Sequence, residues 1–203
     1  MYLNPEVAQH LGIKEMREHQ NFFIEAIKSP MQNIFFVGPR QIGKTTAIFN
    51  LMYYLREKEP TTPIYFVSGI PNLFKASYKI LKEDFKKLNI TITTPNLKIS
   101  EPDAIIIIDE GAFIHNENII CKIILKDDSI LDTKSYSKLI ICSTPRKGSM
   151  FNMFCLLTQR GLLNNTKLCD LSYEYPLYEF CPQNVDEFIS QKFYDEEIRG
   201  IIL

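Results

Sequence analysis

The 203-residue sequence has little of what identifies several common classes of protein. Its five cysteines are an odd number and none forms a C-x-x-C pair, so neither a disulfide framework nor a zinc site is indicated. The three histidines are dispersed and give no metal-binding spacing. We therefore expect free thiols in a reducing cytosol.

Long apolar runs and an excess of one charge are also missing. No apolar run approaches the roughly 20 residues that a membrane-spanning helix requires, and the first residues lack the basic-then-apolar order of a signal peptide. With 23 Lys and Arg against 24 Asp and Glu, the net charge is −1, whereas domains that coat nucleic acid are usually strongly basic. We expect a soluble intracellular protein without membrane contact; one that touches nucleic acid through a single loop could still be neutral overall.

What the sequence does contain is an alternation of apolar strands and helical patterns, which is typical of an α/β fold with a mostly parallel sheet. A chain of this length can form one full core. The predicted strands are 33–37, 63–68, 104–108, 138–142 and 166–171, with 90–99 as a small hairpin or an edge strand. The predicted helices are 15–28, 44–58, 72–87, 149–161 and 184–199.

The chain is predicted to divide into a core and a tail. Residues 1–171 would form the core, with 1–14 as an N-terminal extension. Residues 172–203 begin with the aromatic and proline cluster YEYPLYEFCP and would form a small lid or linker, although such aromatics more often serve core packing.

A phosphate-binding loop follows the first predicted strand. Residues 38–45, GPRQIGKT, match the Walker A pattern G-x-x-x-x-G-K-[ST], which wraps phosphates with backbone N–H groups at the start of a helix. Lys44 would reach the β- and γ-phosphates of ATP, and the Thr45 hydroxyl would hold Mg²⁺. The predicted ATP-binding residues of this loop are Gly38, Pro39, Arg40, Gln41, Ile42, Gly43, Lys44, Thr45 and Thr46. The alternative is a glycine turn with a surface lysine.

Arg40 lies inside this loop. A guanidinium in that position could stabilise the γ-phosphate in the transition state, as an arginine supplied in cis. The alternative is a surface arginine on an exposed loop.

Two carboxylates end the most apolar predicted strand. Asp109 would organise Mg²⁺, and Glu110 would act as general base toward the attacking water, which makes Glu110, Lys44 and Arg40 the predicted catalytic residues. The pair indicates the branch of P-loop proteins that hydrolyse ATP for mechanical work, the ASCE type, with helices on both faces of the sheet. The alternative is a capping pair that opens the next helix.

A polar turn follows the next predicted strand. Ser143, Thr144 and Pro145 would sit beside the acidic strand end, where a hydroxyl could sense the γ-phosphate and the turn could pass that state onward. Taken alone, the same residues are a turn with a helix N-cap.

Together these elements resemble the ATPase domain of the large terminase subunit, the DNA-packaging motor of tailed bacteriophages. The resemblance covers about residues 15–200. It rests on the helix around Gln20, the loop GPRQIGKTT, the strand IIIIDEGAF and the segment ICSTPRKGSMFNMF.

The resemblance implies further roles. Gln20 is similar to the family's adenine-reading glutamine, since an amide can pair with the adenine edge; a solvated helix glutamine is the alternative. Ser143, Thr144 and Pro145 are similar to the motif that couples hydrolysis to DNA movement. A ring motor often borrows a basic residue from its neighbour, for which Arg146, Arg160 and Lys98 are unranked candidates.

The implied partners are double-stranded DNA, the capsid portal, the small terminase subunit and further copies in a ring, commonly a pentamer. The implied location is the host-cell cytoplasm, with transient attachment to the procapsid portal. Large terminases usually continue into a nuclease domain, whereas this chain stops at Leu203. We therefore expect an excised ATPase domain, or a natural short form, without nuclease activity. A ring that needs the missing part would leave the isolated chain monomeric.

Two other functions remain open from the residues. One is a hexameric helicase-like or loader ATPase of another branch. The other is a nucleotide-binding scaffold with slow turnover, although such proteins tend to lose the base or the lysine, and both Glu110 and Lys44 are present.

Overall fold

In the part of the chain that the structure describes, six strands form one sheet, and every neighbouring pair is parallel. The computed structural model describes residues 2–40, 42–70, 85–93, 99–114, 118–124, 136–146 and 148–171. The strands are β1 (Asn33–Val37), β2 (Ile64–Ser68), β3 (Ile90–Thr93), β4 (Ile105–Asp109), β5 (Lys138–Ser143) and β6 (Thr166–Asp170). Their order across the sheet is β3-β2-β4-β5-β1-β6.

Helices cover both faces of this sheet. The described helices are α1 (Pro5–Leu11), α2 (Glu18–Ile27), α3 (Lys44–Lys58), α4 (Asn118–Ile124) and α5 (Met150–Gln159), with a short 3-10 helix at Gly111–Phe113. Among the described helices, none combines the length and apolar character needed to cross a membrane.

Alternating side chains of the strands build two separate cores. On β1, Ile34 and Phe36 face the core shared with α2 and α3, where the Phe36 ring stacks on that of Phe23 at 3.8 Å between centroids. Phe35 and Val37 point to the opposite face and pack in the core shared with α4 and α5. Burial on both faces explains why the strands read as continuous apolar runs rather than as alternating ones.

The strand order places a crevice at one end of the sheet. The chain leaves β1 for β2, and β4 and β5 later insert between them, so the connections diverge at this point. Open parallel sheets bind ligands outside the carboxyl ends of the strands at such a switch point. The strand ends Val37 and Ser143 are paired in register, and Asp109 pairs with Cys142, so the three predicted site segments leave the same edge together.

The predicted elements agree closely with those observed. The predictions for β1 and α3 have the observed bounds, and those for β2, β4, β5, β6, α2 and α5 differ by one to three residues at their ends. The predicted segment 90–99 is longer than the observed β3, which ends at Thr93. The segment 90–93 is an edge strand, which confirms that alternative. The predicted helix 72–87 lies outside the described residues except for its last three, and 184–199 lies wholly outside them.

The first residues form a helix that sequence reasoning left unassigned. The Asn4 side chain accepts hydrogen bonds from the amides of Glu6 and Val7, Pro5 occupies the first turn, and Gly12 ends α1 at φ 64°. The Asn4 amide donates to Asn50 Oδ1 of α3 at 2.9 Å, and Val7 is fully buried. This N-cap, proline and glycine pattern was present in the sequence as a helix signal.

Candidate nucleotide-binding site

The loop between β1 and α3 has the backbone that its glycines permit. Gly43 adopts φ 85° immediately before Lys44, the first residue of α3. This left-handed conformation is cheap for glycine, and it turns the chain into the helix so that the first N–H groups of α3 face the crevice. Gln41 lies outside the described residues.

Two side chains of α2 form hydrogen bonds with backbone carbonyls of this loop. The His19 Nε2–H donates to the Ile42 carbonyl at 2.6 Å, and Gln20 Nε2 donates to the Gly43 carbonyl at 3.0 Å. Burial lowers the pKa of His19, which favours the neutral ring. A Cβ at Gly43 would collide with Gln20 Nε2, so the glycine also permits this close approach.

The side-chain amide of Gln20 is therefore hydrogen-bonded within the chain through both its oxygen and its nitrogen. Its Oε1 accepts from the Arg17 amide at 2.8 Å at the start of α2, opposite the bond from Nε2 to the loop. The side chain is buried rather than solvated. Its predicted reading of adenine remains a prediction. The sequence predicts no role for His19, because no motif includes this residue.

Lys44 is a buried charge held by oxygen atoms. Its Nζ donates to the Pro39 carbonyl at 2.8 Å, to Thr144 Oγ1 at 3.0 Å and to the Gly38 carbonyl at 3.4 Å. Glu110 Oε1 lies 3.7 Å from the same nitrogen, and Lys44 is 5% exposed. A buried ammonium needs such partners, because its desolvation is otherwise costly. The surface-lysine alternative is wrong for this residue.

Thr45 and Asp109 meet across the crevice. The Thr45 hydroxyl donates to Asp109 Oδ2 at 2.8 Å, whereas Asp109 Oδ1 is buried without a well-formed hydrogen bond. Burial, followed by the charge of Glu110, raises the pKa of Asp109 to about 7, and the Thr45 hydroxyl and Lys44 offset part of this rise.

These two side chains fit a magnesium site. A buried carboxylate oxygen without a partner, next to a carboxylate–hydroxyl pair, leaves ligand capacity for a hard cation. The described residues contain no group of three His, Cys, Asp or Glu side chains that could hold a metal. An ion here would take few protein ligands, as Mg²⁺ does when phosphates and water supply the rest.

Glu110 lies in a left-handed backbone conformation, with φ 54° and ψ 48°. For a residue other than glycine this costs on the order of 1–2 kcal/mol. The bend turns Glu110 off the strand while Asp109 remains within it. Gly69 makes room for the bend: its amide donates to the Asp109 carbonyl at 2.7 Å, and a Cβ there would collide with the Glu110 carbonyl.

The end of β5 holds the Glu110 carboxylate in place. Glu110 Oε2 accepts from Ser143 Oγ and from the Thr144 amide, both at 3.2 Å, while Oε1 faces Lys44. Ser143, Thr144 and Pro145 are all buried. The structure thus brings together the predicted lysine, threonine, both carboxylates and the Ser-Thr-Pro turn, and Glu110 points into the site rather than capping a helix.

No protein-family model matches the chain, and no curated protein sequence does. Several solved structures share its architecture. The large terminase ATPase domain of Thermus phage P74-26 is 14% identical, with 100% of both chains covered and a TM-score of 0.65. The large terminase of the thermophilic bacteriophage D6E is 13% identical, with 94% of this chain and 54% of that chain covered and a TM-score of 0.65. The DNA-bound DUF1998 helicase MrfA is 16% identical, with 83% of this chain and 29% of that chain covered and a TM-score of 0.52.

The fold is that of a P-loop ATPase. At these identities the likeness establishes the fold alone, and the fold agrees with the ASCE-type architecture expected from the sequence. The alignment with the P74-26 domain extends over the full length of both chains.

The remaining basic residues lie in different parts of this P-loop ATPase fold. The exposed side chains of Arg40 and Arg146 both lie over the ring of Phe113, with their guanidinium carbons 5.3 Å and 5.4 Å from its centroid. Arg160 follows the far end of α5, and Lys98 lies outside the described residues. Thr46 lies in the first turn of α3.

Proposed function

We propose that the chain is a Mg²⁺-dependent ATPase that drives double-stranded DNA into a procapsid as part of a viral packaging motor. One observation carries the enzymatic part of this proposal: Lys44, the Thr45–Asp109 pair and Glu110 converge at the carboxyl edge of the sheet, behind the phosphate-binding loop. If the loop were only a glycine turn and the acidic residues were unrelated to it, these groups would not be expected to lie in contact.

Lys44 would bind the β- and γ-phosphates of ATP. Its ammonium already faces the crevice, where Thr144 Oγ1 and the Glu110 carboxylate are two of its neighbours. A γ-phosphate offers this nitrogen a stronger, charged acceptor than the threonine hydroxyl. Binding of ATP would therefore loosen the contacts of Lys44 to Thr144 and Glu110, and free both residues for the γ-phosphate and the attacking water.

Thr45 and Asp109 would hold Mg²⁺, through a hydroxyl and a carboxylate whose Oδ1 lacks a well-formed hydrogen bond. The metal would neutralise phosphate charge as it develops during transfer. Ionised Asp109 is the form that binds the cation, so a bound ion also replaces the proton that burial favours.

Glu110 would accept a proton from the attacking water. Its carboxylate is oriented by Ser143 and the Thr144 amide, so a shift of this turn would move the base. Such a link would also couple the state of the γ-phosphate to the segment that follows β5. Arg40, on the loop itself, would stabilise the negative charge of the γ-phosphate in the transition state.

The packaging role is supported by two further observations. The sequence resembles large terminases at the loop, the acidic strand end and the Ser-Thr-Pro turn, and the terminase ATPase domain of phage P74-26 covers the whole chain in fold. The partners of such a motor would be double-stranded DNA, the portal, the small subunit and other copies in a ring.

Steady-state release of phosphate from ATP tests the enzymatic proposal. The wild-type chain should hydrolyse ATP with Mg²⁺ and stop when EDTA is added, and Lys44→Ala should weaken both ATP binding and hydrolysis. Hydrolysis by Lys44→Ala at the wild-type rate would contradict the site. Lys28→Ala is a suitable control, because Lys28 is an exposed lysine that follows α2, at the opposite end of this helix from the residues that contact the loop.

Assays with DNA and ATP distinguish a packaging motor from the two alternative functions. A packaging motor should be stimulated by double-stranded DNA without separating its strands. Strand separation would favour the helicase-like alternative, for which MrfA provides a structural parallel in fold. Tight ATP binding without measurable turnover would favour the scaffold.

A further inference from the structure

We propose that Phe113 is a positioning residue that holds Arg40 and Arg146 as a pair of guanidiniums for the γ-phosphate of ATP, which makes Arg146 a second phosphate-binding arginine of the same chain. This inference rests on the proposed nucleotide site. The observation behind it is that both guanidinium carbons lie within 5.4 Å of one ring centroid.

The three residues belong to three different parts of the site. Arg40 follows Pro39, whose carbonyl accepts from Lys44. The Phe113 amide donates to the Glu110 carbonyl at 3.0 Å, which ties the ring to the proposed base. Arg146 is two residues beyond Thr144, whose hydroxyl contacts Lys44. The ring therefore joins side chains from the loop, the acidic strand end and the Ser-Thr-Pro turn.

The backbone at Arg146 is fixed. Pro145 before it is buried, and the Arg146 carbonyl accepts from the Ser149 amide at 3.0 Å in the turn that precedes α5. The exposed Arg146 side chain lies over the half-buried Phe113 ring, and this cation–π contact favours that position.

Both guanidiniums lie over the same ring, and an anion that contacts both of them would offset the repulsion between the two positive charges. The nearest anion that the proposed function supplies is the γ-phosphate at Lys44. Arginine is suited to this task, because its fork of donors can bind two phosphate oxygens at once. Arg160, by contrast, lies at the opposite end of α5 from Arg146. The two ends are separated by ten residues, or roughly 15 Å along the helix axis, which is too far for Arg160 to contact the same anion.

Nucleotide binding to the full chain at low concentration tests the pair. The quantity to measure is the ratio of the dissociation constant for ADP to that for a non-hydrolysable ATP analogue, with Mg²⁺ present in both titrations. Arg146→Ala should lower this ratio by about 10-fold or more, as expected for loss of a hydrogen bond to a charged group. Lys28→Ala, at an exposed lysine at the opposite end of α2 from the residues that contact the loop, should leave it unchanged.

The aromatic ring is tested by two further variants. Phe113→Leu should lower the ratio by about 2- to 5-fold, the size of an exposed cation–π contact, while Phe113→Tyr should keep it near the wild-type value. In an Arg40→Ala/Arg146→Ala background, Phe113→Leu should have no further effect. A merely structural role for the ring would lower binding of both nucleotides equally and would persist in that background.

An unchanged ratio in Arg146→Ala overturns the proposal, as does an equal loss for Phe113→Leu and Phe113→Tyr. The proposed function has a different readout, because failure of the wild-type chain to hydrolyse ATP would contradict the enzyme while the binding ratio stayed measurable. Hydrolysis together with a ratio insensitive to Arg146 would retain the enzyme and remove only the arginine pair.

Discussion

At the amino end of the sheet, the buried polar side chains around Tyr136 form neutral hydrogen bonds with one another, whereas at the carboxyl end charged side chains lie close together and one buried carboxylate oxygen lacks a well-formed hydrogen bond. The amino end is organised around Tyr136, whose hydroxyl donates to Asn33 Oδ1 at 2.8 Å. Asn33 Nδ2 donates to Thr166 Oγ1 at 3.2 Å, and Gln32 Nε2 donates to the Tyr136 carbonyl at 2.7 Å. These neutral bonds connect the starts of β1 and β6 to Tyr136, two residues before β5.

The carboxyl end has the opposite character. Asp109 is buried with one oxygen that lacks a well-formed hydrogen bond, and its pKa is raised to about 7. Glu110 adopts a left-handed backbone, and Lys44 is buried among carbonyls, a hydroxyl and a carboxylate.

Left-handed backbone alone does not separate the two ends, because Asn89, Asp103 and Asn165 also adopt it, each within two residues of the start of a strand. Asparagine and aspartate adopt this conformation more readily than glutamate does. Buried charges and acceptors without a partner concentrate at functional sites, because a ligand later supplies what the protein leaves missing. The difference between the two ends thus indicates which one evolved for binding.

The largest effect should come from the strained residue at the carboxyl end. Glu110→Gln keeps the size and the acceptor oxygen of the side chain but removes the base, so ATP hydrolysis should fall by about 10²–10⁴-fold. Binding of an ATP analogue should stay nearly intact. Phosphate release and analogue titration measure the two quantities. Glu101→Gln, at an exposed glutamate, is the control, and turnover at the wild-type rate in Glu110→Gln would assign the base to another residue.

The next effect concerns stability as a function of pH. The pKa of Asp109 is about 7 in the folded chain, against an ordinary value of about 3.9 when unfolded. Between these values the folded state holds a proton that the unfolded chain has lost. The stability contributed by protonated Asp109 is therefore fully present below about pH 4, falls as pH rises through 7, and is absent at pH 8.

Asp109→Asn should remove this dependence, because asparagine resembles the protonated carboxyl. Without nucleotide or Mg²⁺, the variant should be more stable than the wild type at pH 8 by on the order of 2 kcal/mol, and nearly equal at pH 4, while hydrolysis is lost. Urea denaturation at several pH values measures the difference. Asp103→Asn changes an exposed carboxylate and should leave the wild-type pH profile as it is. Parallel profiles for Asp109→Asn and the wild type would contradict a raised pKa at this site.

A smaller effect is expected at the amino end. Tyr136→Phe removes the donor to Asn33 Oδ1 and leaves a buried acceptor without its partner, which should cost about 1–3 kcal/mol of stability. The KM for ATP should not change, because the residue lies at the opposite end of the sheet from Lys44. Denaturant unfolding and steady-state kinetics measure the two ends separately. A changed KM for ATP with unchanged stability would show that Tyr136 contributes to the nucleotide site and not to the stability of the amino end.

The sequence predicted the sheet and the charged residues of the site because both follow from local patterns. Apolar runs between helical periods determine buried parallel strands, and the loop pattern at 38–45 comes with its own strand and helix. Asp109 and Glu110 were found because they end the most apolar run. These features require no knowledge of which strands are neighbours.

The parts that could not be predicted depend on contacts between distant segments. Nothing in the sequence places His19 against the Ile42 carbonyl, or the Phe113 ring against Arg40 and Arg146. Gly69 likewise gives no sequence sign that it makes room for the bend at Glu110. Helix α1 differs from these, because its cap, proline and glycine were readable in the sequence.

The smallest effect concerns Gln20. Its amide spans from the Arg17 amide to the Gly43 carbonyl, so in the nucleotide-free chain it pairs with protein as completely as the residues of the amino end do. If it reads adenine, through its remaining N–H and lone pair or in exchange for these bonds, Gln20→Ala should lower the preference for ATP over GTP. If it only fastens the loop, both nucleotides should weaken by the same factor, about 3- to 10-fold for one lost hydrogen bond. Because the two bonds already satisfy the amide and hold the loop backbone that binds phosphate, we expect the equal loss. Titrations with ATP and GTP analogues distinguish the two roles. A loss of affinity for ATP alone would show that Gln20 binds the adenine base, as the sequence predicts.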